Sequence, residues 1–143
     1  MAHDPQAPEP ENQVPAARAI LFEDGLLQRR AVLGDPWVDR ALAGRNAFNG
    51  DFQDFITRIA WSEIWTRPGL EHRARRIIVL SITIALGRWE EFRLHVRAAI
   101  EQAGLTPDEI KEVIMQAAVY AGVPAGNTAF HHAQEILREL KAI

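Results

Sequence analysis

The sequence predicts an all-α fold, a single-domain helical bundle of roughly six to seven helices. After residue 16, apolar residues recur at intervals of three and four, with Gly and Pro falling between the runs as punctuation. Period-two alternation bounded by turns, the mark of a half-buried strand, is nearly absent, and there is no internal repeat.

Residues 1–16 hold Pro5, Pro8, Pro10 and Pro15 among small and polar residues. Such a stretch buries too little apolar surface to offset its ordering entropy, so a mobile arm is expected, followed by one domain over 17–143. The first helix is expected from Ala16 to Leu33, stopped by Gly34-Asp35-Pro36, where Gly suits a left-handed cap and Pro cannot continue the helix. A short helical piece follows from Trp37 to about Arg45. The next helix starts near Asp51, sets Phe52, Phe55, Ile56, Ile59 and Ala60 on one stripe, and ends before Arg67-Pro68-Gly69. From Leu70 to Leu86 the apolar residues run nearly all the way round, which predicts a helix buried on most sides. Arg88 to Ala103 forms the next helix, with Gly87 before it and Gly104 after it. Thr106-Pro107-Asp108-Glu109 reads as a capping box with Pro at the first helical position, opening a helix that stops at Gly122. The last helix runs from about Pro124 to Leu140, with Phe130, Ala133, Ile136 and Leu137 inward.

The composition narrows the function. With 143 residues the chain is one ordinary domain, and 48% hydrophobic and 24% charged residues are those of a soluble globular protein. A net charge of -3 gives no basic footprint for nucleic acid or an anionic membrane. Zero cysteines remove disulfides, thiolate metal sites, Cys nucleophiles and dithiol redox chemistry. No apolar run reaches the ~18 residues of a bilayer span, and the first residues lack the cationic and apolar regions of a secretory signal, so a cytoplasmic location is expected. HExxH, GxxxxGK, GxGxxG and GxSxG are all absent, and no second His stands at a ligand spacing from His95, so no metal site is expected.

On the Arg88–Ala103 helix, Trp89, Phe92, Val96, Ala99, Ile100 and Ala103 form the apolar stripe, with Glu90, Arg93, Arg97 and Glu101 opposite. Arg88, Glu91 and His95 fall within roughly 60° of one another along the edge of that stripe. An imidazole and a carboxylate one turn apart at a core boundary can hydrogen-bond, fixing the tautomer and drawing the His pKa toward the neutral range. The pair is a candidate acid/base unit, or else a boundary pair that steadies the helix by a few tenths of a kcal/mol. Arg75 shares a face with Ile78, Val79, Ile82 and Leu86, where a guanidinium needs an anion: Glu91 or another carboxylate, or a substrate carboxylate. Arg67, Arg73 and Arg76, with His72 and Glu71, crowd the same region. Trp61, Trp65 and Tyr120 read as core or subunit contacts rather than ligand platforms. His131 and His132 point about 100° apart on the last helix and carry no catalytic expectation.

Several segments in order resemble the 4-carboxymuconolactone decarboxylases: FNGDFQDFITRIAWSEIWTRPGLEHRARR, then ALGRWEEFRLHVRAAI, then EIKEVIMQAAVYAGVPAGNTAFHHAQE. The likeness covers roughly Gly25 to Leu140. It implies the all-helical alkylhydroperoxidase-D-like fold and a homo-oligomer, trimeric or hexameric, with sites near subunit boundaries. Peroxidases of that wider group use a CxxC pair followed by a His; here Arg88 and Glu91 stand at the cysteine positions and His95 at the His position. The implied reaction turns 4-carboxymuconolactone, a small carboxylated lactone, into 4-oxoadipate enol-lactone and CO2 in protocatechuate catabolism. Because the lactone is its own electron sink, no metal, pyridoxal or thiamine cofactor is implied. Under that resemblance His95 is the expected general acid, oriented by Glu91. Arg88 and Arg75 are the expected carboxylate-binding or oxyanion-stabilising residues, and Trp61 walls the pocket.

Overall fold

The computed structural model describes residues 11–102 and 104–143. It is built of α1 (Val14–Leu33), α2 (Asp35–Ala43), α3 (Gly50–Ile56) with a π-helical continuation (Thr57–Ile64), α4 (His72–Leu86), α5 (Trp89–Glu101), α6 (Pro107–Ala121) and α7 (Val123–Glu139). No strand occurs among the described residues. Most of the expected arm, residues 1–10, lies outside the described residues, as does Ala103 on the expected stripe of α5. The first helix begins two residues before the expected Ala16, because Pro15 fits its first turn, where a missing N–H costs nothing.

Two apolar clusters hold the bundle. Leu80 and Ile84 of α4, Phe92 and Val96 of α5, Ile110 and Ile114 of α6, and Ala133 and Ile136 of α7 form the larger one. Val32 and Leu33 of α1, Val38 of α2, Trp61 and Trp65, and Ala98 of α5 form the smaller. α5 contributes to both, so whatever it carries between the two sits at their seam.

The termini follow the local chemistry. Gly34 has a positive φ of 88°, but its ψ of 148° takes it out of the left-handed helical well, and it serves both as the end of α1 and the start of α2. The capping box at α6 is formed as expected: Thr106 accepts from Glu109 N at 3.2 Å while Glu109 accepts from Thr106 N at 2.8 Å. Gly25 meets the π segment so closely that a Cβ there would lie 2.0 Å from the Thr57 carbonyl oxygen, which makes α1 and this segment the closest-packed pair of elements in the smaller core.

Two expectations for the helices are corrected. The segment from Asp51 is not one α-helix: after Ile56 it widens, with Trp65 N donating to Ala60 O at 3.1 Å, five residues back. Thr57, Trp61 and Trp65 are buried at a spacing of four, while Phe52, Phe55 and Ile59 of the expected stripe are exposed. Nor is α4 buried on most sides. Arg76, Leu80, Thr83 and Ile84 face inward, whereas Ile78, Ile82 and Leu86 are exposed.

Candidate active site

His95 follows Phe92 by three residues and precedes Val96, so the inward face of α5 carries it into the seam between the two cores, where only 9% of it is exposed. Its imidazole lies parallel to the Trp65 indole, with an interplanar angle of 5° and ring centroids 6.4 Å apart. Trp65 stacks in turn on Trp61 (5.4 Å) and meets the His72 ring edge-on (5.6 Å). Gln28 Nε2 of α1 donates to His72 Nε2 at 2.7 Å, which ties the start of α4 to α1.

The cation at this centre is Arg76. Its side chain is buried and donates to the Val32 carbonyl oxygen at 2.8 Å, while its second terminal nitrogen has no partner among the described residues. Gly104 makes room for it, since a Cβ at that position would stand 2.5 Å from the Arg76 Cδ and Nε. Burial, and then the positive charge of Arg76, push the His95 pKa down to about 4. The imidazole is therefore neutral at working pH, and its Nδ1 is buried without a hydrogen-bond partner among the described residues. A neutral imidazole and a guanidinium without a counter-ion among the described residues lie together in the buried seam beside two indoles, surroundings in which an incoming anion is favoured.

A groove of about 580 Å³ opens between α1, α2, α3 and α5, lined by Arg29, Trp37, Arg40, Gln53, Arg93 and Arg97 among others, and it meets α5 at Glu91 and Leu94, four residues and one residue before His95. Arg29 is buried to 2% exposure; both terminal nitrogens donate to Gln53 Oε1 at 3.2 Å, and its guanidinium lies over the Trp37 ring at 5.3 Å.

Of the residues singled out from sequence, the structure brings His95 and Trp61 together through Trp65. It does not join Glu91 to His95. Glu91 is exposed on the groove wall, no hydrogen bond links the two among the described residues, and the imidazole pKa is depressed rather than drawn toward neutrality, because the desolvating core lacks a carboxylate. Arg88 is exposed at the start of α5. Arg75 is not a buried cation in search of a carboxylate: Nε donates to Leu70 O (3.2 Å) and a terminal nitrogen to Arg67 O (3.0 Å), which stitches the 67–70 turn to α4. The face it shares with Ile78 and Ile82 is the outer one. The buried guanidinium is its neighbour Arg76, one residue and ~100° away.

Sequence reasoning also missed Arg29. Its signal was present, because Gly25, Arg29, Val32 and Leu33 form the buried stripe of α1, so an arginine stands in an apolar register. Elsewhere among the described residues, no group of three or more His, Asp or Glu could hold a metal ion, and no helix is long and apolar enough to cross a membrane.

The sequence model of the carboxymuconolactone decarboxylase family matches residues 50–135, which hold the π segment, α4, α5, α6 and most of α7. The chain is 45% identical over 119 residues to a 4-carboxymuconolactone decarboxylase of Acinetobacter baylyi, covering 83% of this chain and 88% of that protein. It is 37% identical over 120 residues to a nitrosuccinic acid decarboxylase of Metarhizium robertsii, covering 84% of this chain and 83% of that protein. A 4-carboxymuconolactone decarboxylase sequence of Pseudomonas putida matches over 39 residues at 56% identity, 27% of this chain and 81% of that sequence. The two long matches take in both the groove and the His95 centre, and with the family model they establish that this chain belongs to the carboxymuconolactone decarboxylase family.

Proposed function

We infer that the protein is a carboxy-lyase that converts 4-carboxymuconolactone to 4-oxoadipate enol-lactone and CO2, a step of protocatechuate catabolism. The observation that carries this reading is the 45% identity over 83% of the chain to the Acinetobacter baylyi decarboxylase. In the reaction the bond between the ring carbon and the departing carboxylate breaks. Its electron pair moves through the ring double bond onto the lactone carbonyl, and a proton is returned to a ring carbon. The substrate holds the electrons throughout, so the protein has to orient the anion, stabilise the dienolate oxygen and supply one proton.

In this reading His95 gives the proton. An anion bound beside Arg76 offsets the guanidinium charge, the smaller of the two causes of the depression, and so moves the imidazole pKa upward. Arg76 stabilises the dienolate oxygen, and Trp61 and Trp65 form the apolar wall toward which CO2 departs. Glu91, on the groove one turn before His95, and Arg88, at the start of the same helix, stand at the solvent side of the site. Arg75, whose Nε and one terminal nitrogen are engaged by backbone carbonyls, has no role assigned in this reading.

A homo-oligomer belongs to the same reading. Ile82 and Tyr120 are exposed at 51% and 84%, and the depression between α4 and α6 that they line with Ser81, Ala85 and Ala121 carries no charged side chain. A second copy of the chain, presenting the same uncharged face, is the occupant that fits.

The test is CO2 release from freshly generated 4-carboxymuconolactone by chelator-treated protein, run beside His95→Ala and His95→Gln. Loss of turnover by ~10²-fold or more in both variants is the expected result for a proton donor. Unchanged turnover in a folded variant removes His95 from that role. No release by the wild-type protein overturns the reaction itself.

A further inference from the structure

Five arginines outside the core have carboxylate partners: Arg30 with Asp35 and Asp39, Arg45 with Asp54, Arg73 with Glu109, Arg93 with Glu135 and Arg97 with Glu139. The two buried ones, Arg29 and Arg76, have none among the described residues. A buried guanidinium held only by neutral acceptors keeps most of its desolvation cost, so such a position favours an incoming anion.

Arg29 is the one of the two that lines a groove. Gln53 Oε1 accepts from both terminal nitrogens, Thr57 Oγ1 lies 3.5 Å from one of them, and the Arg29 Nε is left without a partner. Trp37 covers one face of the guanidinium, which fixes its plane. A planar, oriented guanidinium whose terminal nitrogens meet only neutral oxygens keeps its charge uncompensated, and its unpartnered Nε edge has the geometry that takes a carboxylate through two parallel hydrogen bonds.

We propose that Arg29, with Gln53 and Trp37, is a carboxylate-binding subsite that holds the acetate arm the substrate retains, and not the carboxylate that leaves as CO2. The assignment to that arm rests on the reaction inferred above. A tight ion pair on the leaving carboxylate would stabilise the ground state and lose its partner in the transition state, whereas a pair on the retained carboxylate keeps its strength throughout. The substrate is then anchored by charge in the groove while the reacting ring turns toward the His95 centre.

Two measurements test this. The first uses no turnover: adipate, an unreactive dicarboxylate, is titrated into the wild-type protein and into Arg29→Met and Arg29→Lys, with tryptophan fluorescence and calorimetry as readouts. Saturable binding by the wild type, weakened ~30-fold or more in Arg29→Met and less in Arg29→Lys, is expected for loss of a charge-assisted fork. The absence of saturable binding by the wild type, or equal binding by all three proteins, overturns the subsite. The second compares kcat/KM for 4-carboxymuconolactone and for the analogue in which methyl replaces the carboxymethyl arm. Arg29→Met is expected to lose ~10²-fold on the parent and less than ~2-fold on the analogue. Equal losses on both would mean that Arg29 only cements α1 to α3, and would sink the proposal. Where Arg29→Met fails to fold, Arg29→Lys supplies the same comparison. Adipate binding that depends on Arg29, in a protein that releases no CO2 from the lactone, keeps the subsite and discards the reaction.

Discussion

His95 and Trp65 lie face to face across the seam of the two cores, their rings 5° from parallel and 6.4 Å apart. Protonating that imidazole places a charge against an indole, in the field of Arg76 and with no carboxylate to receive it.

Stability should therefore depend on the acid titration of His95. The folded pKa is about 4 and the ordinary value 6.5, so between them the unfolded chain binds more protons than the folded one. Stability then rises with pH across that window and is lost as pH falls from about 6.5 toward 4, by up to about 3 kcal/mol. Urea unfolding at a series of pH values checks this, and His95→Gln should flatten the profile in the same window. An equally steep profile in the variant would exclude His95 as its source.

Arg76→Met should move the His95 pKa upward but leave it below 6.5, because burial is the larger cause and the guanidinium charge the smaller. The imidazole proton shifts in an NMR titration report this directly. The variant also strands the Val32 carbonyl, so a stability loss of about 1–3 kcal/mol should accompany the shift.

Gly25→Ala should be among the most damaging single substitutions, at about 3 kcal/mol or more. The new methyl meets the Thr57 carbonyl oxygen at 2.0 Å, and that contact is with backbone, which has no rotamer to escape into. Gly69→Ala is the matched control, since nothing lies within 4 Å of its Cβ, and it should stay within about 0.5 kcal/mol of wild type. Thermal unfolding of the two variants side by side gives the comparison.

Thr106→Ala should cost about 1 kcal/mol by removing one half of the α6 capping box. Arg73 and the Thr106 backbone hold the Glu109 carboxyl down at about 2, so the Arg73–Glu109 pair stays formed at neutral pH in the variant. Hydrogen exchange should show the loss concentrated in the first turn of α6.

The helices were legible in the sequence because their stops are local: Gly34, Gly87, Gly122 and the Thr106 box each end or begin an element through their own backbone chemistry. His95 was legible for a similar reason, since the stripe through Phe92 and Val96 passes beside it. Choosing between Arg75 and Arg76 was a different problem. Both sit among apolar residues on α4, and which face turns inward is decided by α5 and α6, whose positions no local pattern encodes. Glu91 failed in the same way: its spacing from His95 was right, but tertiary packing buried one residue of the pair and left the other in water. The π segment was invisible because its residues carry ordinary helical periodicity, and its wider turn follows from the packing of Trp61 and Trp65 against α1 and α5.

The π segment also gives this stretch of chain a residue to spare. A turn closed by hydrogen bonds five residues back carries more chain around the same axis than an α turn, so a residue deleted between Thr57 and Ile64 narrows it to ordinary α-helix while the flanking side chains stay close to their phase. Trp65 then keeps its place against His95, and such a deletant should look folded by circular dichroism with its centre closed. The same deletion inside α5, between Phe92 and His95, meets no wide turn and rotates the imidazole by ~100° against the seam. The segment is a reserve of length, and shortening it costs less than shortening the regular helix that carries the histidine.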